Sequence, residues 1–353
     1  MDDDQAGSAF RFNGNWREFA PIAFTNLLLI IVTLGIYRFW AKARERRYLW
    51  SRTDFIGDPL EWTGTGKELF IGFLLVMLLL GVPLFVIQFV VQGMAARGHL
   101  LAAFGLMLVA YVAILYLYGL ARYRSLRYRL SRTSWHGIRG GSNDAGWGYA
   151  LTSLWKAAIG GLIFGFLIPW SMTSLWNDRW GRLSFGNQDF AAHAHWKPII
   201  GRFLLFYLLP VVGCVGGIAV VAGSVAGAGA PGPSALGGVI IGAMAVYLAM
   251  GVIAIVYYAA FLREAIGALT LNRIGFEFTA RTIDWIKLLF GNIGLVIVTL
   301  GIGAIFLGYR NWSFFIRHLE AIGEVELAAL TQSTTSQPSQ GEGLLDAFDV
   351  GAF

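Results

Sequence analysis

The sequence predicts an all-α polytopic membrane protein with internal repeats, re-entrant or kinked apolar segments and a small cytoplasmic β layer. Three observations predict it. Hydrophobic side chains make up 56% of the 353 residues and charged ones only 14%, with a mean hydropathy of +0.61, so the chain carries far more apolar surface than a soluble core needs. Apolar stretches close to the roughly 20 residues that span a bilayer as a helix recur along it. The segment FTNLLLIIVTLGI from Phe24 returns as FGNIGLVIVTLGI from Phe290, and the FRF before the first copy is matched by the FEF before the second.

The opening MDDDQAGSAF has no cationic region, apolar run or small-residue cleavage site, so insertion is expected to rely on internal helices. Apolar segments follow at 19–40, 68–93, 99–121, 149–176, 198–223, 236–262 and 285–309. Seven full crossings would scatter Lys and Arg over both faces. If the first, fourth and seventh segments instead enter and leave on one side, the charged connections gather on that side, leaving Arg97 as the only cation in the opposite turns. Tryptophan agrees: all 13 lie in or near those three segments or the charged connections, and none falls between Trp62 and Trp135 or between Trp196 and Trp285. Charged loops and both termini are therefore expected in the cytoplasm.

The three suspect segments contain the breakers a re-entrant hairpin needs. Thr33-Leu34-Gly35 and Thr299-Leu300-Gly301 hold equivalent places in the duplicated unit, and Gly160-Gly161, Gly165 and Pro169 interrupt the fourth segment. Short aromatic-alternating pieces stand before the helices: FRFNG from Phe10, LEWTG from Leu60, LSFGN from Leu183 and FEFTA from Phe276, with HGIRG from His136 and GEVEL from Gly323 as weaker cases. Period-two alternation closed by Gly or Thr predicts strands that pair into the β layer. The organisation is a membrane domain over 1–322, with repeat copies near 10–53 and 276–320 and a weaker one near 147–190. Residues 323–353, rich in Ser, Thr, Gln and Gly, are expected to be mostly disordered.

With these elements placed, NLLLIIVTLGIYRFWAKARERRYLWSRT followed by FIGDPLEWTGTGKELFIGF resembles the bacterial inner-membrane YjgN family, whose shared domain has no known function. The resemblance rests on Thr33 to Tyr37, on Trp40 with Lys42, Arg44, Arg46 and Arg47, and on Gly64 to Phe70. Phe39 departs from the proline that the family pattern favours before the tryptophan, an arrangement present instead at Pro169-Trp170. The resemblance implies a multi-pass protein of the bacterial cell inner membrane and brings no catalytic residues.

Candidate chemistry is sparse. GTGKE at Gly64 to Glu68 has the look of a phosphate loop but lacks its spacing, and a Thr65–Glu68 capping box accounts for it. His193 and His195 beside Asp189 make two potential ligands without a strong third, so no metal and no cofactor is expected. The single Cys214 excludes an intramolecular disulfide. No nucleophile, dinucleotide or zinc motif is present, and an enzyme is not expected. The +6 net charge is explained by membrane topology and anionic lipid, with no nucleic-acid partner.

What remains is polar groups at membrane depth. Asn26 and Asn292 are equivalent in the duplicated unit, and a buried carboxamide must either bond a broken-helix carbonyl or line a polar cavity. Thr33 and Thr299 join them as candidate pathway lining. Arg122, Arg124, Arg127, Arg129 and Arg132 are candidate lipid-headgroup contacts or a topology signal. Glycines four apart at Gly161/Gly165, Gly213/Gly217, Gly223/Gly227 and Gly238/Gly242 let helices approach closely, within one chain or in a homo-oligomer. The long pairs 68–121 and 198–262 hold no ionisable group near their centres, which disfavours a proton-driven pump. The expected function is a passage or pocket for a small solute or lipid, and the alternative is a non-transporting scaffold or lipid-organising protein.

Overall fold

A computed structural model describes residues 8–228, 233–323 and 330–336. The chain is mostly helical, and its helices are arranged in units, each inserted between two short strands that pair with one another. Strands β1 (Phe10–Phe12) and β2 (Thr53–Phe55) enclose helices α1 (Trp16–Val32) and α2 (Arg38–Ser51). After β3 (Asp58–Pro59), strand β4 (Glu61–Trp62) leads into a long pair: α3 (Gly66–Val76), a π-helical turn over Met77–Gly81, α4 (Val82–Ala96) and α5 (Leu100–Arg132), closed by β5 (Thr133–Trp135). Next come β6 (Ile138–Gly141), α6 (Trp147–Gly161), α7 (Ile168–Trp180) and β7 (Ser184–Phe185). A second long pair follows, with β8 (Gln188–Ala192), α8 (Lys197–Ala228), α9 (Pro233–Gly267) and β9 (Leu269–Leu271). The last unit is β10 (Ile274–Phe278), α10 (Thr282–Val298), α11 (Leu307–Arg317) and β11 (Leu319–Ile322).

The pairs that close these units are Phe12 with Thr53, Trp62 with Thr133, Gly141 with Ser184, Ala192 with Leu269 and Phe278 with Leu319. Paired strands lie about 5 Å apart, so each unit leaves the β layer and returns to it at neighbouring points. Consecutive units are joined by two-residue turns. Ile56-Gly57 and His136-Gly137 have both residues at positive φ, the geometry that fits the twist of a tight hairpin. The result is a meander ordered β11-β10-β9-β8-β7-β6-β5-β4 beside a smaller sheet β1-β2-β3. A seam of rings runs across both sheets: Trp135 to Phe55 at 5.0 Å, Phe55 to Phe10 at 4.6 Å, then Phe276 and Phe190 at successive 6.5 Å steps.

The first, fourth and seventh apolar segments are antiparallel helical hairpins. Each turns through a non-glycine residue in the left-handed region followed by glycine: Leu34-Gly35 (φ 50 and 91), Phe164-Gly165 (54 and 85) and Leu300-Gly301 (49 and 94). The tip side chains are 93%, 91% and 93% exposed. Among the described residues, four helices are long and apolar enough to cross a membrane: Gly66–Ala96, Leu100–Arg132, Lys197–Gly227 and Gly237–Gly267. Apart from Ala103 near the outer end of α5, burial is confined to their bases. Leu69, Leu120, Ile199 and Ala265 are buried near the β layer, whereas Leu101 and Tyr247 farther out are 89% and 80% exposed. This is the surface pattern of helices solvated by hydrocarbon.

The β layer is larger than the sequence suggests. Strands β1, β4 and β7 fall within the expected pieces, β6 and β10 overlap theirs, and β2, β3, β5, β8, β9 and β11 are additions. GEVEL lies largely outside the described residues. Part of the tail expected to be disordered is bound: Gln332 Nε2 donates to Gly137 O at 2.7 Å, and Thr331 N and Ser336 N donate to the Asn187 and Asn143 side chains at 3.1 and 3.2 Å. The rest of the tail, beyond residue 336, lies outside the described residues.

Candidate functional site

The duplicated amides sit within their own hairpins. Asn26, buried on α1, donates through Nδ2 to Ala41 O of α2 at 3.3 Å, and its Oδ1 has no hydrogen-bond partner. Asn292, half-buried on α10, donates to Asn311 Oδ1 at 2.9 Å and accepts from Arg310 Nε at 2.7 Å. The copies diverge because their partners do: the second helix offers a backbone carbonyl in one hairpin and polar side chains in the other. No hydrogen bond joins the two amides among the described residues.

Thr33 and Thr299 perform the same local task. Each hydroxyl donates to the carbonyl four residues back, Leu29 at 2.7 Å and Leu295 at 2.6 Å, and accepts from the amide four residues on, Tyr37 and Gly303 at 2.9 and 2.7 Å. The hydroxyl thus bridges the end of one helix to the start of the next turn, satisfying backbone groups that the hairpin would otherwise leave bare. In the middle hairpin, Lys156 of α6 reaches Ser174 and Asp178 of α7, an ion pair within the hairpin itself.

The arginines of α5 divide by role. Arg124 donates to Ala145 O at 3.1 Å and lies over Trp147, Arg127 donates to Asp144 O at 3.0 Å, and Arg132 pairs with Glu68 at 2.9 Å. Arg129 is engaged as well. These tie α5 to its neighbours. Glu68 also closes its capping box with Thr65 and accepts from Tyr128 at 2.9 Å, so a residue legible only as a cap joins α3 to α5.

Arg122 differs. It lies over the Tyr118 ring at 5.9 Å and lines a cavity of about 330 Å³ with Tyr149, Trp176, Arg179 and Tyr258. The cavity sits where the apolar part of α5 gives way to its arginines, with Tyr149 of α6 and residues of α7 and α9 completing the wall. Arg179, on the last turn of α7, is 2% exposed, and its Nε and Nη1 have no hydrogen-bond partner. Sequence reading counted it only as one cation of a charged connection; its one signal was the aromatic setting, SLWNDRW.

The remaining candidates are structural. His195 N donates to Glu264 at 2.9 Å and His193 N to Ala268 O at 3.0 Å, and no group of three metal-ligating side chains occurs among the described residues. Of the spaced glycines, Gly213 faces Val246 so closely that a Cβ would lie 2.6 Å from it, which is the expected close approach. Gly217 and Gly242 have no such neighbour and instead border an apolar gap of about 1240 Å³ between α8 and α9.

Comparison with known proteins places the chain. Residues 7–347 match the family described as bacterial protein of unknown function (DUF898), and the chain belongs to that family. It is 27% identical over 175 residues to the inner membrane protein YjgN of Salmonella typhimurium strain LT2, an alignment covering 44% of this chain and 41% of that protein. It is 28% identical over 136 residues to the inner membrane protein YjgN of Escherichia coli O157:H7, covering 38% and 31%. The chain thus spans less than half the length of the curated relatives it matches. No solved structure matches it.

Proposed function

We propose that this family member is a non-enzymatic, multi-pass inner-membrane protein that receives a membrane amphiphile in a pocket opening at the cytoplasmic headgroup level. Its two long pairs cross the bilayer. Its three hairpins dip into the cytoplasmic leaflet from a β layer that lies in the cytoplasm with the termini, and the hairpins of 10–53, 147–190 and 276–320 are copies of one unit. Support for one-sided insertion comes from the strand pairs that root both ends of every unit, together with the cations gathered on the β-layer side.

The observation that carries the pocket is the cavity bounded by Arg122 and Arg179. It joins cationic donors to aromatic and apolar walls at the depth where a lipid changes from headgroup to chain. A through passage has less support, because Asn26, Thr33, Asn292 and Thr299 bond within their own hairpins and the long helices present apolar surface.

Topology is tested with Arg97→Cys and Asn143→Cys in a Cys214→Ala background. A membrane-impermeant thiol reagent added to whole cells is expected to label position 97 and spare position 143. Labelling of both, or of 143 alone, refutes the one-sided arrangement. The pocket reading is tested by lipid extraction from the protein purified in mild detergent: stoichiometric, retained lipid is expected, and a lipid-free, stable protein favours a scaffold instead.

A further inference from the structure

We propose that the cavity between α5, α7 and α9 binds a phosphate-bearing anion, with Arg179 as the anchoring donor and Arg122 as the second cation. The inference deepens the pocket reading and rests on it.

Arg179 is almost fully buried, makes no ion pair to a carboxylate among the described residues, and feels the charges of the cations Arg122 and Arg129. The neighbouring Asp178 is engaged by Lys156 across the hairpin. Nε and Nη1 of the guanidinium are packed out of solvent contact without a hydrogen-bond partner, and the group lies over the Trp176 ring at 5.4 Å. A buried cation is ordinarily paired or hydrogen-bonded, because removing it from water is otherwise strongly unfavourable. Burial, partly offset by Tyr149 and reinforced by Arg122 and Arg129, lowers its pKa to about 10, and that value still leaves it protonated at neutral pH. The charge is therefore present and uncompensated.

What would compensate it follows from shape and place. A guanidinium offers a planar fork of N–H donors that matches the oxygens of a phosphate, and arginine is favoured over lysine wherever that geometry is used. The Trp176 ring meets the charge without using a hydrogen-bond donor, so Nε and Nη1 remain unpaired on a side chain that lines the cavity. Arg122, whose recorded partner is the Tyr118 ring, supplies a second positive charge on the same cavity. The about 330 Å³ volume suits a headgroup rather than a whole lipid. Tyr118 and Tyr258, both lining the cavity, are 49% and 55% exposed, which leaves the mouth amphipathic. The phosphate could be carried by an anionic lipid or arrive free, and the chemistry recognised is the same.

The test uses the full chain in detergent, with Arg179→Met and Arg179→Lys. Met keeps the length and removes the charge, so the variant is expected to fold and to elute as a single species with wild-type circular dichroism. Phosphatidylglycerol retained after purification, counted by mass spectrometry, is expected to fall at least tenfold in Arg179→Met and less in Arg179→Lys. Added phosphatidylglycerol is expected to raise the Tm of the wild type and leave that of Arg179→Met unchanged. Phosphatidylcholine, which has no net negative charge, is expected to act more weakly. Inorganic phosphate forms the second arm: a Tm rise that depends on Arg179, without any from the lipid, supports the phosphate site and assigns it to free phosphate. Equal lipid retention and equal ligand response in wild type and Arg179→Met overturn the site while leaving the pocket reading standing. Absence of retained lipid and of any ligand response in the wild type overturns both.

Discussion

The three hairpins and the two long helix pairs grow from the same β layer, yet they differ in what stops them. The long helices run 31 or 33 residues, about 46–50 Å, more than the hydrocarbon thickness, and their outer parts pack on little but their partner. In the hairpins, α1 and α10 have 17 residues, about 25 Å each, and end at a left-handed turn. Leucine in that conformation costs about 1–2 kcal/mol. A leucine or phenylalanine that is both strained and more than nine-tenths exposed is costly in water and well solvated in hydrocarbon. The difference teaches that a short unit is set by two features together, an early left-handed turn and a polar second helix such as RFWAKARERRYLWS in α2, since paired strands at the base are common to both kinds of unit.

The sharpest way to break this comparison is a charge at each extreme. Val112→Arg, within the apolar part of α5, should cost about 2.5–3.5 kcal/mol of insertion free energy. Leu34→Arg at a hairpin tip should cost about 1–2 kcal/mol, because its depth is smaller and Arg38 already lies close by on α2. Both are read as the inserted fraction in a translocon-based glycosylation assay or as yield in membranes. A tip substitution without cost would place the tips in water and end the distinction.

Much of this contrast was legible. Composition and segment lengths disclosed a membrane protein, and the breakers in TLG and GG marked the segments that turn back. Charge and tryptophan placement set the same three segments, which are hairpins, apart from the two long pairs. The strand pairs at the base were less visible, because β3 has only two residues and β2, β5 and β9 three each, and alternation needs more to register. Pairing across an inserted helical unit is also non-local. Asn26 and Asn292 misled for a different reason: their equivalence is real in sequence, but their partners, Ala41 against Arg310 and Asn311, lie outside the conserved run of the duplication. Arg179 is illegible in sequence because a cation beside a membrane segment is ordinarily a topology signal, and only packing shows that no carboxylate among the described residues pairs with it.

A second comparison concerns how the bases are clasped. Arg52 meets Glu18 at 2.8 Å beneath the first hairpin, Arg132 meets Glu68 at 2.9 Å beneath the first pair, and Arg182 meets Asp144 beneath the middle hairpin. Glu68 is the most engaged, with cap, tyrosine and arginine partners. Glu68→Ala should therefore lower stability by about 2–3 kcal/mol, since it removes the carboxylate that Arg132 and Tyr128 both bond at a largely buried base. Arg52→Ala, at an exposed pair, should lower it by less than about 1 kcal/mol. Thermal unfolding followed by tryptophan fluorescence in detergent separates the two. Equal effects would mean that the clasps are interchangeable and that pairs and hairpins are held alike.

The smallest expected effect concerns pH at the middle hairpin. Burial raises the Asp144 pKa, but the Gly146 N–H and the Arg182 and Arg127 charges more than reverse this, leaving it below the usual carboxylate value. A carboxylate whose folded pKa is depressed contributes stability that is fully present above its unfolded pKa and is lost as pH falls through the folded one. The Tm of the wild type should accordingly fall between about pH 5 and pH 3 by more than that of Asp144→Asn, and the two should show parallel profiles above about pH 5. Because both partners are about a third exposed, solvent and salt weaken the contribution, and 0.5 M salt should shrink the gap between the profiles. A gap that salt leaves unchanged would mean that the Gly146 hydrogen bond, rather than the Arg182 ion pair, holds the mouth of this hairpin shut. The middle hairpin would then be closed by its own local turn, unlike the long pair beside it, whose clasp reaches between helices.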